Sequence, residues 1–542
     1  MNKIFEKTTQ FVFAKQKTIF SSAIILAGMI ILSSFFGFIR YRILSGFFGK
    51  GDLDIFLASF KIPDLIFEVL ITGALTSTFI PIYIKYKANK EELDENISSI
   101  MNLIFLVMLI FVFVLNFFLD QVMTLITPGY SVEKINKIVY FSRFLLLGQL
   151  PFLIVGNFLT GIGQANKTFL LTAAAPIIYN ISIILATIFF APAFGLLAPV
   201  VGVDVGAWLF LLVQLPLLFK SGFSYRLLIK KTQGLIEFFR QILPRTLTVI
   251  VSQIDATVDL TLTSLLGSGS YTVFYFAQHL ALLPVSVVGV AFGQASLPYL
   301  SEVYQEKRIE DLKSIIVQSM LNLFFFSIPI AVFFAFARTP LIRLFFGGQK
   351  FDWSATVETA FTLSYFSLSL PFHTIYYFLT RCFYAFLDTR TPFFISASSV
   401  VLNTVLSILF VIILKFPVWA LAISFSISMT INVLVLLFVL DRKLKGFNRL
   451  FISIEFLKMG ISSLVPGFFV YHLMKFLDGL VFDTSRTLNV FLLLGTAWLV
   501  YISLYIFLTW LLDVKEIYLI GRLILKASEF RKKIVEMYTT YE

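Results

Sequence analysis

Residues 37–83 read GFIRYRILSGFFGKGDLDIFLASFKIPDLIFEVLITGALTSTFIPIY. The nearly unbroken Phe, Ile and Leu residues are typical of the end of one membrane helix, a glycine-containing turn and a second membrane helix. The stretch also carries charged side chains, namely Arg40, Arg42, Asp54, Lys61, Asp64 and Glu68. A charge at the bilayer centre costs at least about 2.5–3.5 kcal/mol, so such residues usually face a cavity or one another. The stretch therefore predicts a membrane protein with a charged interior surface.

The composition of the whole chain agrees with a polytopic helical membrane protein. Of its 542 residues 58% are hydrophobic and 14% charged, and the mean hydropathy is +0.91, whereas soluble domains have about 25% charged residues. The single cysteine, Cys382, excludes an internal disulfide and a cysteine metal cluster. The loops are short and contain no P-loop, HExxH or GxSxG motif, so we expect a protein that is not an enzyme.

Apolar runs of about 20 residues or more predict an all-α fold with about fourteen transmembrane helices. The runs are 18–48, 54–84, 98–127, 135–163, 168–192, 195–219, 236–266, 271–302, 312–337, 355–386, 391–414, 417–440, 455–477 and 488–512. An even number places both termini on one side. Lys and Arg concentrate in the loops of that side, which predicts cytoplasmic N- and C-termini. Topology thus accounts for the net charge of +12, and no nucleic-acid partner is expected.

Two pairs of similar segments indicate an internal duplication. Residues 47–83 resemble 265–300, and residues 166–180 resemble 389–403 at a nearly equal offset. We therefore predict two six-helix halves and two extra helices. The predicted domains are an N-lobe at 1–220, a C-lobe at 221–450, helices 13 and 14 at 451–513, and a basic amphipathic helix on the cytoplasmic leaflet at 514–542. Transporters built from such repeats bind substrate between the halves, near the middle of the membrane.

Basic side chains in the apolar segments are candidates for a substrate site. Arg40, Arg42 and Lys61 are donors suited to phosphate, although Arg42 lies about 200° around the helix from Arg40. His279 provides either a switchable charge or a packed, hydrogen-bonded histidine. Asp204 stands alone in helix 6, and the sequence pattern gives no account of it.

Acidic side chains in the second half have several possible roles. Asp255 and Asp259 lie four residues apart, on one face of helix 7. Acids in apolar surroundings are protonated, paired or bound to a cation. Together with Asp388 and Thr404 they would supply hard oxygen ligands for Na⁺ or carry a proton. The open alternative is a salt link to Arg245 or Arg381.

Several motifs resemble the MurJ (MviN) family of lipid II flippases. They are GFIR, FFGKG, DIFLASFKIPDL and ITGALTSTFIPIY near the start, LPRTLTVIVSQID, LLGSGS, FYFAQHL and GVAFGQASLP in the middle, and RCFYAFLDTRTP later. The resemblance covers about residues 20–440. It implies a monomer in the bacterial inner membrane that moves undecaprenyl-pyrophosphate-linked peptidoglycan precursor (lipid II) to the outer leaflet by alternating access. Membrane lipids surround it, and helices 13 and 14 would form a groove for the lipid tail.

The resemblance also implies roles for individual residues. Arg40 matches a cavity arginine, and Asp54 matches an acidic residue at the start of helix 2, which we expect to pair with an arginine and to help gate transport. Other cavity arginines of the family are replaced by Gly46, Phe67 and His279. The cavity is therefore less cationic than is usual in the family. This leaves a flippase for another polyprenyl-linked oligosaccharide as an alternative.

For the coupling ion, the resemblance implies a Na⁺ site in the second half. The matching residues are Asp259, Asp388, Val400 and Thr404, and Tyr384 stands where an amide ligand is expected. A further alternative is a cation-coupled drug exporter like the MATE proteins of the same MOP superfamily. Such an exporter would have an acidic, aromatic pocket and no role for helices 13 and 14.

Overall fold

The structure of the chain is a computed structural model that describes residues 19–69, 78–483 and 486–518. Its helices are α1 (Ile19–Phe47), α2 (Lys50–Ser59), α3 (Lys61–Phe67), α4 (Ile80–Tyr86), α5 (Lys90–Ile126), α6 (Val132–Gly148), α7 (Leu150–Ala165), α8 (Phe169–Phe194), α9 (Leu197–Gln214), α10 (Pro216–Lys220), α11 (Gln233–Leu265), α12 (Ser270–Pro284), α13 (Ala291–Gln305), α14 (Ile309–Phe336), α15 (Arg338–Phe346), α16 (Trp353–Ala385), α17 (Arg390–Ile408), α18 (Trp419–Lys443), α19 (Arg449–Leu480) and α20 (Thr487–Leu511). Segments Val285–Val290 and Leu409–Ile413 are π-helical. The described residues contain no strand, and the predicted all-α polytopic class is confirmed.

The described helices account for the predicted membrane spans in different ways. Nine are long and apolar enough to cross a membrane, or ten if α6 and α7, which meet at 41°, form one span. Of the remaining predicted spans, α1, α11 and α16 are continuous helices of 29, 33 and 33 residues. The described part of the span 54–84 is divided among α2, α3 and α4. α4, α7 and α10 each have a proline in the first turn, which lacks an N–H and so ends the preceding hydrogen-bond ladder. The count of fourteen stays a prediction.

The chain divides into two compact units. Unit 1 comprises Met1–Val273 and Phe345–Thr356, and unit 2 comprises Phe274–Leu344 and Val357–Glu542. The boundary differs from the predicted one at 220 because α11 packs on α5 within unit 1. The predicted lobes rest on a sequence duplication, and they stay a prediction. Residues 519–542 of the predicted amphipathic helix lie outside the described residues.

Small residues set the packing of α9 in unit 1. A Cβ added to Gly202 would lie 2.6 Å from the Cβ of Ala186 on α8, and one added to Gly156 of α7 would lie 2.7 Å from the Phe210 ring. Small residues let membrane helices approach closely, where dispersion contacts replace the hydrophobic effect as the source of packing energy. α9 is therefore held against both α7 and α8.

The segment between α10 and α11 is an extended strap bonded along the first turns of α5. Asn102 on α5 donates through its Nδ2 to the carbonyls of Arg226 (2.9 Å) and Leu228 (2.8 Å). The backbone N–H groups of Ser224 and Arg226 donate to Asp94 Oδ1 and Ser98 Oγ. Side chains of α5 thus supply the partners that an extended strand would find in a sheet.

The core of unit 2 lies among α14, α16, α18 and α19. Phe325, Phe378, Leu436 and Met459 are almost fully buried there. The hydroxyl of Tyr505 on α20 donates to the carbonyl of Phe325 at 2.8 Å. α20 packs on α19, and the opposite side of this pair exposes large apolar side chains, as expected for a lipid-facing surface.

Candidate functional site

The carboxylate of Asp54 is the centre of a hydrogen-bonded cluster in unit 1. Asp54 lies in the second turn of α2 and is fully buried. Lys134 Nζ on α6 donates to it at 2.8 Å, and the Tyr130 hydroxyl donates at 3.1 Å. The Gly269 N–H (2.6 Å), the Thr272 N–H (2.8 Å) and the Thr272 hydroxyl (2.8 Å) donate from the start of α12. We call these five residues the Asp54 cluster.

The start of α12 is well suited to hold a carboxylate. The first N–H groups of a helix have no partner within the helix, and the helix dipole favours a negative charge there. Gly267 and Gly269 have φ angles of +108° and +94°, which an L side chain rarely adopts. A Cβ on Gly269 would also lie 2.3 Å from Cγ of Lys50. The LLGSGS motif therefore lets the start of α12 lie against α2.

The Asp54 cluster corrects one sequence prediction. We expected an arginine as the partner of Asp54, and the structure gives Lys134 instead. Lys134 also lies 3.8 Å from the centre of the Tyr130 ring. Burial, the charge of Asp54 and the hydrogen bond to it raise the pKa of Tyr130, so its hydroxyl stays a donor. The contact joins residues far apart in sequence, and no local pattern could have identified it.

Close backbone contacts surround the same end of unit 1. A Cβ on Gly129 would lie 2.2 Å from the carbonyl oxygen of Ser264, and one on Gly348 would lie 2.4 Å from the backbone of Ser45. The Gly129 N–H also donates to Ser264 Oγ at 3.3 Å. Because glycine has no side chain, the backbones of these segments lie in direct contact, with little space between them.

A second group of charged residues lies around Lys61 in unit 1. Lys61 is 7% exposed, and its Nζ lies 3.5 Å from Gln253 Oε1 on α11. It interacts electrostatically with Asp259, Asp64 and Asp255. The acids of α11 therefore have Lys61 as a cationic neighbour. We call these residues the Lys61 cluster.

Arg40 belongs to the same charged region of unit 1. Its guanidinium lies over the Tyr41 ring at 4.4 Å, and it interacts electrostatically with Asp64. Arg42 is half-buried on α1. His279 lies in unit 2, where its ring stacks on Tyr275 with centroids 5.8 Å apart. The predicted roles of these three residues in substrate binding stay predictions.

Asp388 forms a compact set of bonds in unit 2. Lys443 Nζ donates to its Oδ2 at 2.7 Å, and the N–H and hydroxyl of Thr391 donate at 3.0 and 2.8 Å. Partial burial raises the pKa of Asp388, but the bonds from Lys443 and Thr391 outweigh this effect and lower it to about 2. The Asp388 carboxylate is therefore charged, and it is paired with the ammonium group of Lys443.

Within unit 2, the residues of the predicted sodium site do not converge. Val400 and Thr404 lie on α17, which begins at Arg390, directly after Asp388. A straight helix rises about 1.5 Å per residue, so Thr404 is roughly 20 Å from Asp388 along the axis. Those two residues cannot ligate one ion. Among the described residues no group of three or more His, Cys, Asp or Glu side chains could hold a metal. Sodium itself stays a prediction.

Between α8 and α9, unit 1 also has an apolar groove that the sequence reading missed. Its volume is about 560 Å³, and its lining includes Leu185, Phe189, Phe190 and Val205. Apolar residues in membrane helices carry no pattern that separates a groove from an ordinary lipid-facing surface. The groove suits an apolar ligand, because its lining offers hardly any polar groups.

The long apolar helices and the charged clusters buried within them define a polytopic α-helical membrane protein with the architecture of a transporter. The family model described as "Lipid II flippase MurJ" matches residues 44–491. The chain therefore belongs to the MurJ family.

Individual relatives and solved structures agree with this assignment. The chain is 27% identical over 502 residues to the "Probable lipid II flippase MurJ" of Buchnera aphidicola subsp. Schizaphis graminum, covering 89% of this chain and 96% of that protein. It is 29% identical to the "Lipid II flippase MurJ" of Thermosipho africanus, covering 84% and 91%. The structure "Lipid II flippase MurJ, inward closed conformation" matches with a TM-score of 0.75 and 26% identity over 90% of this chain and all of that one. An inward-facing MATE transporter of the MOP superfamily shares the fold, with a TM-score of 0.64 and 14% identity over 78% and 98%.

Proposed function

We propose that this chain moves lipid II from the inner to the outer leaflet of a bacterial inner membrane, with both termini in the cytoplasm. The family match and the printed names of the relatives support this proposal. The observation that carries it is the Lys61 cluster with Arg40, which places basic groups within membrane-spanning segments. Basic groups are the donors that bind a pyrophosphate, and charged residues are otherwise rare in apolar membrane spans.

The proposed mechanism is alternating access by a monomer, without covalent chemistry. The Asp54 cluster holds α2, α6 and the start of α12 together at one end of unit 1. Separating these helices removes the buried Asp54 carboxylate from its donors. Losing these partners is costly unless other charges replace them. The membrane potential supplies about 2.3 kcal/mol per charge per 100 mV, which helps to reset the cycle. The proposed cycle contains no sodium step, because Asp388 and Thr404 lie too far apart to share an ion.

A second candidate function has one observation in its favour. Lys61 is surrounded by the acids Asp64, Asp255 and Asp259, so this region holds more carboxylates than ammonium groups. An acidic pocket suits a cationic substrate, as in a cation-coupled exporter. The two candidates make opposite predictions for a substitution that removes the positive charge of Lys61.

The experiment is complementation of a bacterium depleted of its resident lipid II flippase, with the accessibility of lipid II at the outer leaflet as the readout. We expect the wild-type chain to restore accessibility, Arg40→Ala and Lys61→Met to abolish it, and Lys61→Arg to retain part of it. Lys137→Met is the matched control, because Lys137 is an exposed lysine paired with Glu133.

Three results would change the proposal. Normal transport by Arg40→Ala and Lys61→Met would overturn the assignment of the binding residues. No rescue by a well-expressed, membrane-inserted wild type would favour another polyprenyl-linked oligosaccharide as substrate. No rescue together with cation-dependent drug export that Lys61→Met enhances would favour the exporter.

A further inference from the structure

We propose that Asp204 is a proton-binding site within the membrane, located where α9 meets the break between α6 and α7. Asp204 is the eighth residue of the span Leu197–Lys220, about 10 Å from its start. The hydrocarbon core is about 30 Å thick, so this position is well inside it. The side chain is half-buried, and its Oδ1 atom is buried without a hydrogen-bond partner in the described part of the chain.

Asp204 has no cationic partner among the described residues. α9 packs mainly on α6, α7, α8 and α10. α7 and α8 carry no charged side chain, and Tyr179 of α8 is the titratable group that interacts with Asp204. On α6, Lys134 bonds to Asp54, Lys137 to Glu133, and Arg143 to Asp120. Lys220 of α10 lies about 24 Å further along the same span.

The carboxyl group of Asp204 lies directly on the helix break. α6 ends at Gly148, α7 begins at Leu150, and the two meet at 41°. A Cβ on Gly148 would lie 2.3 Å from Cγ and Oδ2 of Asp204, so only glycine leaves room for this carboxyl. Pro151 has no N–H to donate to the carbonyl of Leu147. The break thus brings backbone polar groups to the position of the acid.

A second buried side chain at the break also lacks a donor. Gln149 is 3% exposed, and its Oε1 has no hydrogen-bond partner in the described residues. Asp204 Oδ1, Gln149 Oε1 and the Leu147 carbonyl are all acceptors. A buried acceptor without a donor costs about 1–3 kcal/mol. A proton on Asp204 removes the isolated negative charge and adds a donor to a helix break that otherwise presents acceptors.

Broken helices with free backbone carbonyls are the places where membrane transporters bind coupling ions and protons. Asp204 differs from Asp54, whose carboxylate has a lysine and four further donor groups within hydrogen-bond distance. It also differs from Asp388, which is bonded to Lys443. Of these three acids, Asp204 is the one whose surroundings favour the neutral form, so it gives unit 1 a proton site separate from the Lys61 cluster. This inference does not depend on the identity of the transported lipid.

Labelling with dicyclohexylcarbodiimide tests the proposal, because this reagent modifies neutral carboxyl groups in apolar surroundings. Membranes containing the full-length chain are treated at pH 6, 7 and 8, and the modified peptides are quantified by mass spectrometry. We expect labelling of Asp204 at least about tenfold above that of Asp54. The labelling should fall as the pH rises. Asp204→Asn should lose this label and no other.

Each other result overturns the proposal. Absence of label on Asp204, while the ATP synthase proteolipid of the same membranes is labelled, would show that the carboxyl is ionised. Equal labelling of Asp204 and Asp54 would show that Asp204 is no more protonated than the ion-paired Asp54, which contradicts the proposal. Loss of the Asp204 label when N-methylglucamine chloride is replaced by sodium chloride at the same pH would assign the site to Na⁺.

Discussion

The carboxylate of Asp54 and the ammonium of Lys134 lie 2.8 Å apart, although 80 residues separate them in the chain. Asp54 is fully buried, and the side chain of Lys134 is 10% exposed. Water therefore screens this pair little, and its strength depends on the neutral donors that complete the coordination of the carboxylate. The pair joins α2 to α6, and the N–H groups of Gly269 and Thr272 extend the connection to α12.

Lys134→Met is expected to destabilise the protein strongly. It removes the positive charge and leaves the Asp54 carboxylate buried with neutral donors alone, which costs about 3–5 kcal/mol. Thermal unfolding in detergent should show a lower midpoint than for Lys137→Met, which removes a lysine from an exposed pair with Glu133. The double variant Asp54→Asn, Lys134→Met should be more stable than the sum of the single effects predicts. Additive effects would show that the two side chains are not coupled.

Gly269→Ala is expected to weaken the same cluster by a steric route. Gly269 has φ +94°, and a Cβ there would meet Lys50 at 2.3 Å. Gly267→Ala is the matched control, since Gly267 has φ +108° but open space around its Cβ position. Backbone strain alone costs about 1–2 kcal/mol, so we expect a larger fall of the unfolding midpoint for Gly269→Ala. Equal effects would indicate that Lys50 moves aside freely.

Apolar periodicity and run length were enough to predict the helical class and most helix positions. The prediction holds because membrane spans need about 20 apolar residues and internally bonded backbone, and both requirements are visible in a sequence. Breaks within spans were less visible. Pro151 in the first turn of α7 marks one of them, but no local residue pattern gives the 41° angle or the contact of Asp204 with Gly148.

Site residues were harder to predict than helices. The charged stretch at 37–83 correctly singled out Asp54 and Lys61 as buried charges, because burying a charge in a membrane span requires compensation wherever the partner lies. The partners were not predictable: Lys134 is a loop-side lysine, and Gln253 lies on a helix far along the chain. The common ion site of Asp388 and Thr404 failed because it came from ligand chemistry and the family resemblance, without regard to spacing. The predicted run 391–414 already placed a helix between these two residues, and α17 confirms that helix.

The stability that Asp388 provides is expected to depend on acid pH. Its pKa in the folded protein is about 2, below the ordinary value of 3.8, so its contribution is complete above pH 3.8 and is lost as the pH falls toward 2. Lys443 is 40% exposed, and exposed pairs contribute about 1 kcal/mol or less. The difference in unfolding midpoint between wild type and Asp388→Asn should therefore be small at pH 5.5 and smaller at pH 3. A difference that grows on acidification would contradict the assignment.

The strap between α10 and α11 should become accessible to protease when Asn102 is replaced. Asn102→Ala removes two donated bonds, to the carbonyls of Arg226 and Leu228, and the bond accepted from the Tyr225 hydroxyl at 2.6 Å. Each hydrogen bond contributes about 1 kcal/mol, so trypsin should cleave at residues 226–231 at least about tenfold faster than in wild type.

Tyr225→Phe is the control for this experiment, because it removes the hydroxyl bond and leaves both carbonyl contacts of Asn102 in place. We expect it to change the cleavage rate much less than Asn102→Ala does. Limited proteolysis of the purified protein, followed by mass spectrometry of the fragments, gives both rates under one condition. Arg226 is exposed in the wild type, so access of the side chain alone does not limit cleavage. A protease binds several residues of extended backbone. The hydrogen bonds from α5 hold the backbone of the strap and so keep it from entering the protease. Equal rates for wild type and Asn102→Ala would therefore mean that the remaining bonds from Asp94, Ser98 and Ser99 are sufficient to hold the strap.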